Sequence, residues 1–173
     1  NDMDTCTIGN KYHLFVATMK TGSESLVKLQ YSGNTYTQLG GYTLKHNGQN
    51  VAISGAKKYA KDSSYIYFLF FVTDGTENCV GVYRGKVPLN SNSGVVNISH
   101  AFDLNIGNAL VNGTTVPGLA DYTRQGIGYI ASTDQLLVPL TKKNVSIILV
   151  YDHASTATGT VSANSNLSFR ITS

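Results

Sequence analysis

Apolar and polar positions alternate along this chain in short runs, punctuated by Gly, Asn, Asp and Ser. Tyr12 to Met19 is the first strong run, followed by the turn candidate Lys20-Thr21-Gly22-Ser23. Leu26 to Tyr31 reads as its neighbouring strand, and Ser32-Gly33-Asn34 as the next turn. Thr35 to Leu39 resumes extended character before Gly40-Gly41. Tyr42 to Leu44 then forms a short strand ending near Asn47-Gly48. Strand and turn recurring this closely predict an antiparallel meander.

Val51 to Ile53 adds a short strand, whereas Lys57 to Ser64 is polar and carries no clear period. The strongest unit is Tyr65 to Val72, the turn candidate Asp74-Gly75, and Val80 to Val87. Ile66, Phe68, Phe70 and Val72 share one side of the first of these strands, and Tyr67, Leu69 and Phe71 the other. A strand apolar on both faces belongs at the centre of a sandwich or under another subunit.

Asn90 to Gly94 is a connection, and Val95 to Phe102 restarts an extended pattern, although His100-Ala101-Phe102 also suits a helix end. Leu104, Ile106 and Leu110 fit a strand or a helical turn, and Pro117-Gly118 marks a break. Gly126 to Ser132, Gln135 to Leu140, Val145 to Tyr151 and Leu167 to Ile171 supply four further strands. His153 to Asn166, mostly Ala, Ser, Thr, Gly and Asn, reads as a surface loop, with a disordered connection or an extended edge element as alternatives. Roughly eight to ten strands without a long amphipathic helix predict an all-β fold, an antiparallel sandwich or jelly roll, with a β-barrel as the alternative. A propeller fragment fits the strand spacing, but no fixed-period repeat supports a complete propeller. The length suits a single domain spanning 1–173.

Charge changes this picture little. Only 13% of residues are charged, so hydroxyls and amides must keep the surface wet, which suits an extracellular protein, a cell surface or a virion surface. The net charge of +3 has no concentrated source, since Lys57, Lys58 and Lys61 form the densest basic group. Without a basic stripe, nucleic acid is not an expected partner. Lys142 and Lys143 guard the entry to the apolar run Val145 to Val150 against edge aggregation. The longest apolar stretch, Ile66 to Val72, is too short for a helical span, so no membrane insertion is expected. The chain opens on Asn1 rather than Met, as a processed chain or an excised domain would.

Catalytic machinery is sparse. Glu24 and Glu77 both fall in predicted connections, where solvated loop charge explains them better than a glycosidase pair. Asp103, Asp121 and Asp152 are isolated acids. His13, His46, His100 and His153 are widely separated, with no nucleophile elbow nearby. Asp2-Met3-Asp4-Thr5 supplies too few oxygens for calcium, and a turn accounts for Asp74, Gly75 and Glu77 more simply than a metal loop. No glycine-rich phosphate loop is present. The reading is a protein that is not an enzyme and takes no cofactor and no metal. Cys6 and Cys79 are either a disulfide closing a long segment or two isolated core thiols.

What stands out is eleven tyrosines beside only ten acidic residues. Tyrosine couples an apolar ring to a hydroxyl that satisfies a polar partner. Tyr31, Tyr36, Tyr42, Tyr83, Tyr122, Tyr129 and Tyr151 are contact candidates, several adjoining polar turns. The ligand-binding set drawn from them is Tyr83, Tyr122 and Tyr129 with Arg84 and Arg124, arginine being suited to a carboxylated sugar. Arg84 is also placed to pair with Asp74 or Glu77. Asn97, Asn112, Asn144 and Asn166 open glycosylation sequons that matter only on a eukaryotic secretory route. Together these features predict a non-enzymatic attachment domain that binds a cell-surface glycan or protein. One form is the head of an oligomeric fibre, such as a trimeric viral fibre with a receptor-binding role. The alternative is a structural subunit of a fibre, capsid or adhesive coat.

Overall fold

A computed structural model describes residues 2–73 and 78–172, so Asp74, Gly75 and Glu77 lie outside the described residues. The chain begins as a run of hairpins: β1 (Asp2–Ile8), β2 (Lys11–Ala17), β3 (Leu26–Ser32), β4 (Thr35–His46) and the short β5 (Gln49–Asn50). A second sheet follows from β6 (Ala52–Lys61), β7 (Tyr65–Thr73) and β8 (Gly81–Pro88). β9 (Gly94–Asn97) returns to the first sheet parallel to β4, and β10 (Ser99–Asn105) returns to the second beside β8. After a small hairpin of β11 (Leu110–Val111) and β12 (Thr114–Thr115), a third sheet is laid down by β13 (Gly128–Ile130), β14 (Gln135–Lys142) and β15 (Val145–Tyr151). β16 (Gly159–Ser162) edges the second sheet parallel to β10, and β17 (Phe169–Ile171) completes the third.

The architecture is all-β, built of stacked, mostly antiparallel sheets, and among the described residues no sheet closes into a barrel. The second sheet is the middle layer and serves two cores. Ile66, Phe68 and Phe70 of β7 pack with Phe15, Leu26, Tyr42 and Leu44 of the first sheet. Leu69 and Phe71, on the opposite face of β7, pack with Val138, Leu149 and Tyr151 of the third. The doubly apolar strand foreseen in the sequence is therefore covered by its own chain on both sides.

The first strands of the three sheets converge, with β6 passing close to β1 and β2 on one side and to β13 on the other. Asp2 joins all three. Its carboxylate accepts from Lys57 Nζ at 2.7 Å and from the backbone N–H groups of Ala56 at 3.1 Å and Ile127 at 3.3 Å. Asp4 accepts likewise from the Lys58 N–H at 2.7 Å. Such close approach needs small residues on β6. A Cβ on Gly55 would stand only 3.0 Å from the side chains of Ile127 and Phe71.

Three segments differ from expectation. Gly40-Gly41 does not interrupt β4, because the strand runs through the pair with a bulge opposite Lys28 and Leu29. The glycines admit neighbouring chain, since a Cβ on Gly40 would collide with the Asn92 carbonyl and one on Gly41 with the Ser23 carbonyl. The polar stretch after Lys57 is the second half of β6, and part of His153 to Asn166 is the edge strand β16 rather than loop throughout. The disulfide is also corrected. Cys6 and Cys79 are free and buried in different cores, Cys6 between the first and second sheets and Cys79 between the second and third. The middle layer stands between them.

Candidate functional site

Where the ends of the first and second sheets diverge, an open cleft of about 930 Å³ forms. One wall comes from Lys20 and Thr21, in the connection between β2 and β3, and from Asn50 at the end of β5. The other wall includes Tyr83 of β8 and Asp103 of β10, with Val72 and Val80 contributing apolar surface. Divergence of two sheets beyond a shared core leaves such a gap, and polar turn residues line it because turns fall at strand ends.

Tyr83 is fixed from both sides. Antiparallel pairing of β8 with β10 sets His100 opposite Tyr83, and the two rings meet edge-on with centroids 5.2 Å apart. His46, at the end of β4, approaches edge-on at 5.0 Å. Each imidazole is oriented in turn, His46 by the Ile98 carbonyl 3.1 Å from Nδ1 and His100 by Asp103 Oδ1 2.9 Å from Nε2. A ring held this way loses little freedom when a ligand settles against it.

Lys20 is the cation of the cleft. It is paired with Glu24 at 3.0 Å, both side chains being largely exposed, so the pair is weak and open to exchange with a ligand anion. Glu24, the glutamate weighed for glycosidase chemistry, is thus an exposed partner of Lys20; Glu77 lies outside the described residues. Among the described residues no three His, Cys, Asp or Glu side chains group as metal ligands.

The five ligand candidates are not brought together. Only Tyr83 reaches the cleft. Arg124 is buried and spent on backbone, donating to the carbonyls of Cys79 at 2.6 Å, Tyr122 at 2.9 Å, Ala120 at 3.0 Å and Asn78 at 3.2 Å. Burial pushes its guanidinium below the usual arginine value. It clamps the turn before β13 onto the segment leading into β8 and does not line the cleft. Tyr122 beside it is also buried, with Lys142 Nζ 5.8 Å from its ring centre.

Arg84 turns away from the cleft, donating through Nη2 to the carbonyls of Ala154 at 2.7 Å and Ala157 at 2.9 Å. It docks the segment between β15 and β16, with its guanidinium 5.7 Å from the Phe102 ring centre. The acids once paired with it, Asp74 and Glu77, lie outside the described residues. Tyr129 donates to Asp134 Oδ1 at 2.7 Å, and burial together with that carboxylate holds its phenol above the ordinary tyrosine value. Burial opposes ionisation of Asp134, but hydrogen bonds from Ser155 and Tyr129 outweigh it and hold the carboxyl below its usual value.

Tyr42 and Tyr151 are core residues whose hydroxyls donate to the carbonyls of Ser91 at 2.6 Å and Asn105 at 2.8 Å. Tyr31 and Tyr36 stand exposed as a contacting pair on the outer side of the first sheet. All four sequon asparagines, Asn97, Asn112, Asn144 and Asn166, are exposed. Lys20 and Asn50 escaped the sequence reading, their one signal being that both fall at predicted turns or strand ends. No model of a known protein family matches the chain, and no curated protein matches it.

Proposed function

We propose that this protein is a non-enzymatic attachment domain, acting outside the cell or on a virion surface, that engages a cell-surface glycan in the cleft between its first and second sheets. The observation that carries the reading is the braced Tyr83 ring set in one cleft with Lys20, Asn50 and Asp103. A tyrosine face suits the apolar side of a sugar ring, amides and carboxylates suit its hydroxyls, and a lysine suits a sugar carboxylate. The cation for an acidic sugar is Lys20, in place of Arg84 and Arg124. Both histidines are engaged in bracing Tyr83, which favours a platform over a proton-transfer site.

The test is binding of the purified chain to an array of neutral and sialylated cell-surface oligosaccharides, repeated with Tyr83→Ala and Lys20→Ala. Binding that falls about tenfold or more with Tyr83→Ala, and for sialylated sugars with Lys20→Ala, supports the reading. Binding untouched by both substitutions, or no binding across the array, overturns it. A second reading, a structural subunit of a fibre, capsid or coat, is favoured by the apolar outer faces of the first and third sheets.

A further inference from the structure

The three large sheets have six faces between them, and among the described residues four of the six are covered. The outer face of the first sheet carries Met3, Tyr12, Tyr31, Tyr36 and Val95, exposed by 54, 63, 38, 54 and 58%. Leu14, Val16, Val27 and Leu29 lie half-buried on the same face. Strand pairing confirms that these residues share a side, with Met3 opposite Val16, Leu14 opposite Leu29 and Tyr31 opposite Tyr36. The outer face of the third sheet presents Ile130, Phe169 and Ile171, exposed by 40, 46 and 52%, around half-buried Leu137, Pro139 and Ile148.

On these faces apolar pairs in register, Met3 with Val16, Leu14 with Leu29, Tyr31 with Tyr36 and Pro139 with Ile148, alternate with mixed ones such as Tyr12 with Thr7, Leu29 with Gln38 and Ile130 with Gln135. With a fully exposed large side chain taken at about 150–200 Å², their exposed large residues leave roughly 700 Å² of apolar surface per chain. Divided between the two faces as roughly 470 and 240 Å², neither exceeds a typical monomer's largest patch, but together they approach the roughly 800 Å² each partner buries in a stable complex.

The geometry names the occupant. The three sheets fan from the line where β1, β6 and β13 converge, and the two bare faces are the two ends of that fan. Successive four-stranded meanders radiating from a shared inner line are how propellers arrange their blades, and radial repetition leaves no end face when the ring closes. We propose that two copies of this chain close such a ring, the outer face of the first sheet of each packing on the outer face of the third sheet of the other. Both contacts are equivalent by a two-fold axis, so the assembly stops at two rather than growing. The inference concerns faces remote from the Tyr83 cleft and stands whether or not the cleft binds a glycan.

The test is sedimentation velocity of the 173-residue chain from low to high micromolar concentration. The expected species has twice the 18.6 kDa chain mass. Val16→Lys on one face and Ile148→Lys on the other each raise the dissociation constant about tenfold or more, with the far-ultraviolet β signal retained. Chains carrying Val16→Cys, mixed with chains carrying Ile148→Cys, are joined by a short bis-maleimide, while neither chain links to its own kind. A wild-type chain that stays monomeric throughout overturns the proposal, including the case in which another protein or a further part of a longer chain covers these faces. Dimers indifferent to both lysine substitutions, or links between like chains, also overturn it. The wild-type mass decides the matter even where a lysine variant fails to fold.

Discussion

Removing the Asp2 carboxylate should loosen the meeting point of all three sheets at once. Asp2→Ala deletes the acceptor of two backbone N–H groups from other sheets, Ala56 and Ile127, and of the Lys57 ammonium, as well as that of its neighbour's Met3 N–H. The Asp2 and Lys57 side chains are 14% and 19% exposed, so water replaces these contacts only in part. Hydrogen bonds to a charged group contribute about 1.5–3 kcal/mol each when well buried, and partial solvent access lowers that, giving about 3 kcal/mol for the three together. For a chain of this size each kcal/mol moves the melting temperature by about 2–4 °C, so a fall of about 6–12 °C is expected in calorimetry or thermal circular dichroism. Asp2→Asn retains the shape and one acceptor oxygen and should lose about half as much. Lys57→Met removes the ion pair together with the Lys57 Nζ hydrogen bond to the Met3 carbonyl, and a double-mutant cycle with Asp2→Ala, which isolates the pair, should return a coupling of about 1 kcal/mol. A melting temperature for Asp2→Ala within about 1 °C of wild type would refute the claim that this carboxylate pins the three strands.

Arg124→Met should destabilise by about 3 kcal/mol, because four backbone carbonyls lose one charged donor, and it should leave glycan binding by the folded protein unchanged; loss of binding with unchanged denaturant midpoint would restore Arg124 as a contact. Burial raises the phenol values of Tyr42 and Tyr151, so the folded state favours their neutral forms. Their contribution is therefore complete below the ordinary tyrosine value of about 10 and declines as pH rises past it, which melting curves from neutral pH upward should record as a fall confined to the alkaline limb. Both thiols should resist Ellman's reagent in the native protein and react on denaturation without any reductant; a chain that releases thiols only after reduction would contradict the two separate cores.

Much of the middle layer was legible from the chain alone. Ile66 to Val72 is apolar on both faces because two other sheets bury it, and the apolar run Val145 to Val150 announces β15 of the third sheet. β1 was not legible, since Asp2, Asp4, Thr5 and Thr7 give it a polar appearance that only its contacts with β2 and β6 explain. The second half of β6 was hidden for a related reason, because its lysines read as polar loop while Lys57, Lys58 and Lys61 in fact bond to Asp2, Asp4 and Thr7 of β1. Of the five ligand candidates chosen for their chemistry, Tyr83 is the one that lines the cleft. The clamp made by Arg124 was not legible, because its partners are backbone carbonyls, two of them on the distant Asn78 and Cys79, which no side-chain pattern encodes.

The measurement that bears most directly on the attachment reading is an amide chemical-shift titration of the ¹⁵N-labelled chain with a sialylated trisaccharide. The account predicts saturable shifts gathered at Lys20 and Thr21, Asn50 to Ala52 and Gly81 to Tyr83, and their loss in Tyr83→Ala. Shifts centred on Tyr122, Arg124 or Tyr129, or shifts that persist in Tyr83→Ala, would contradict it.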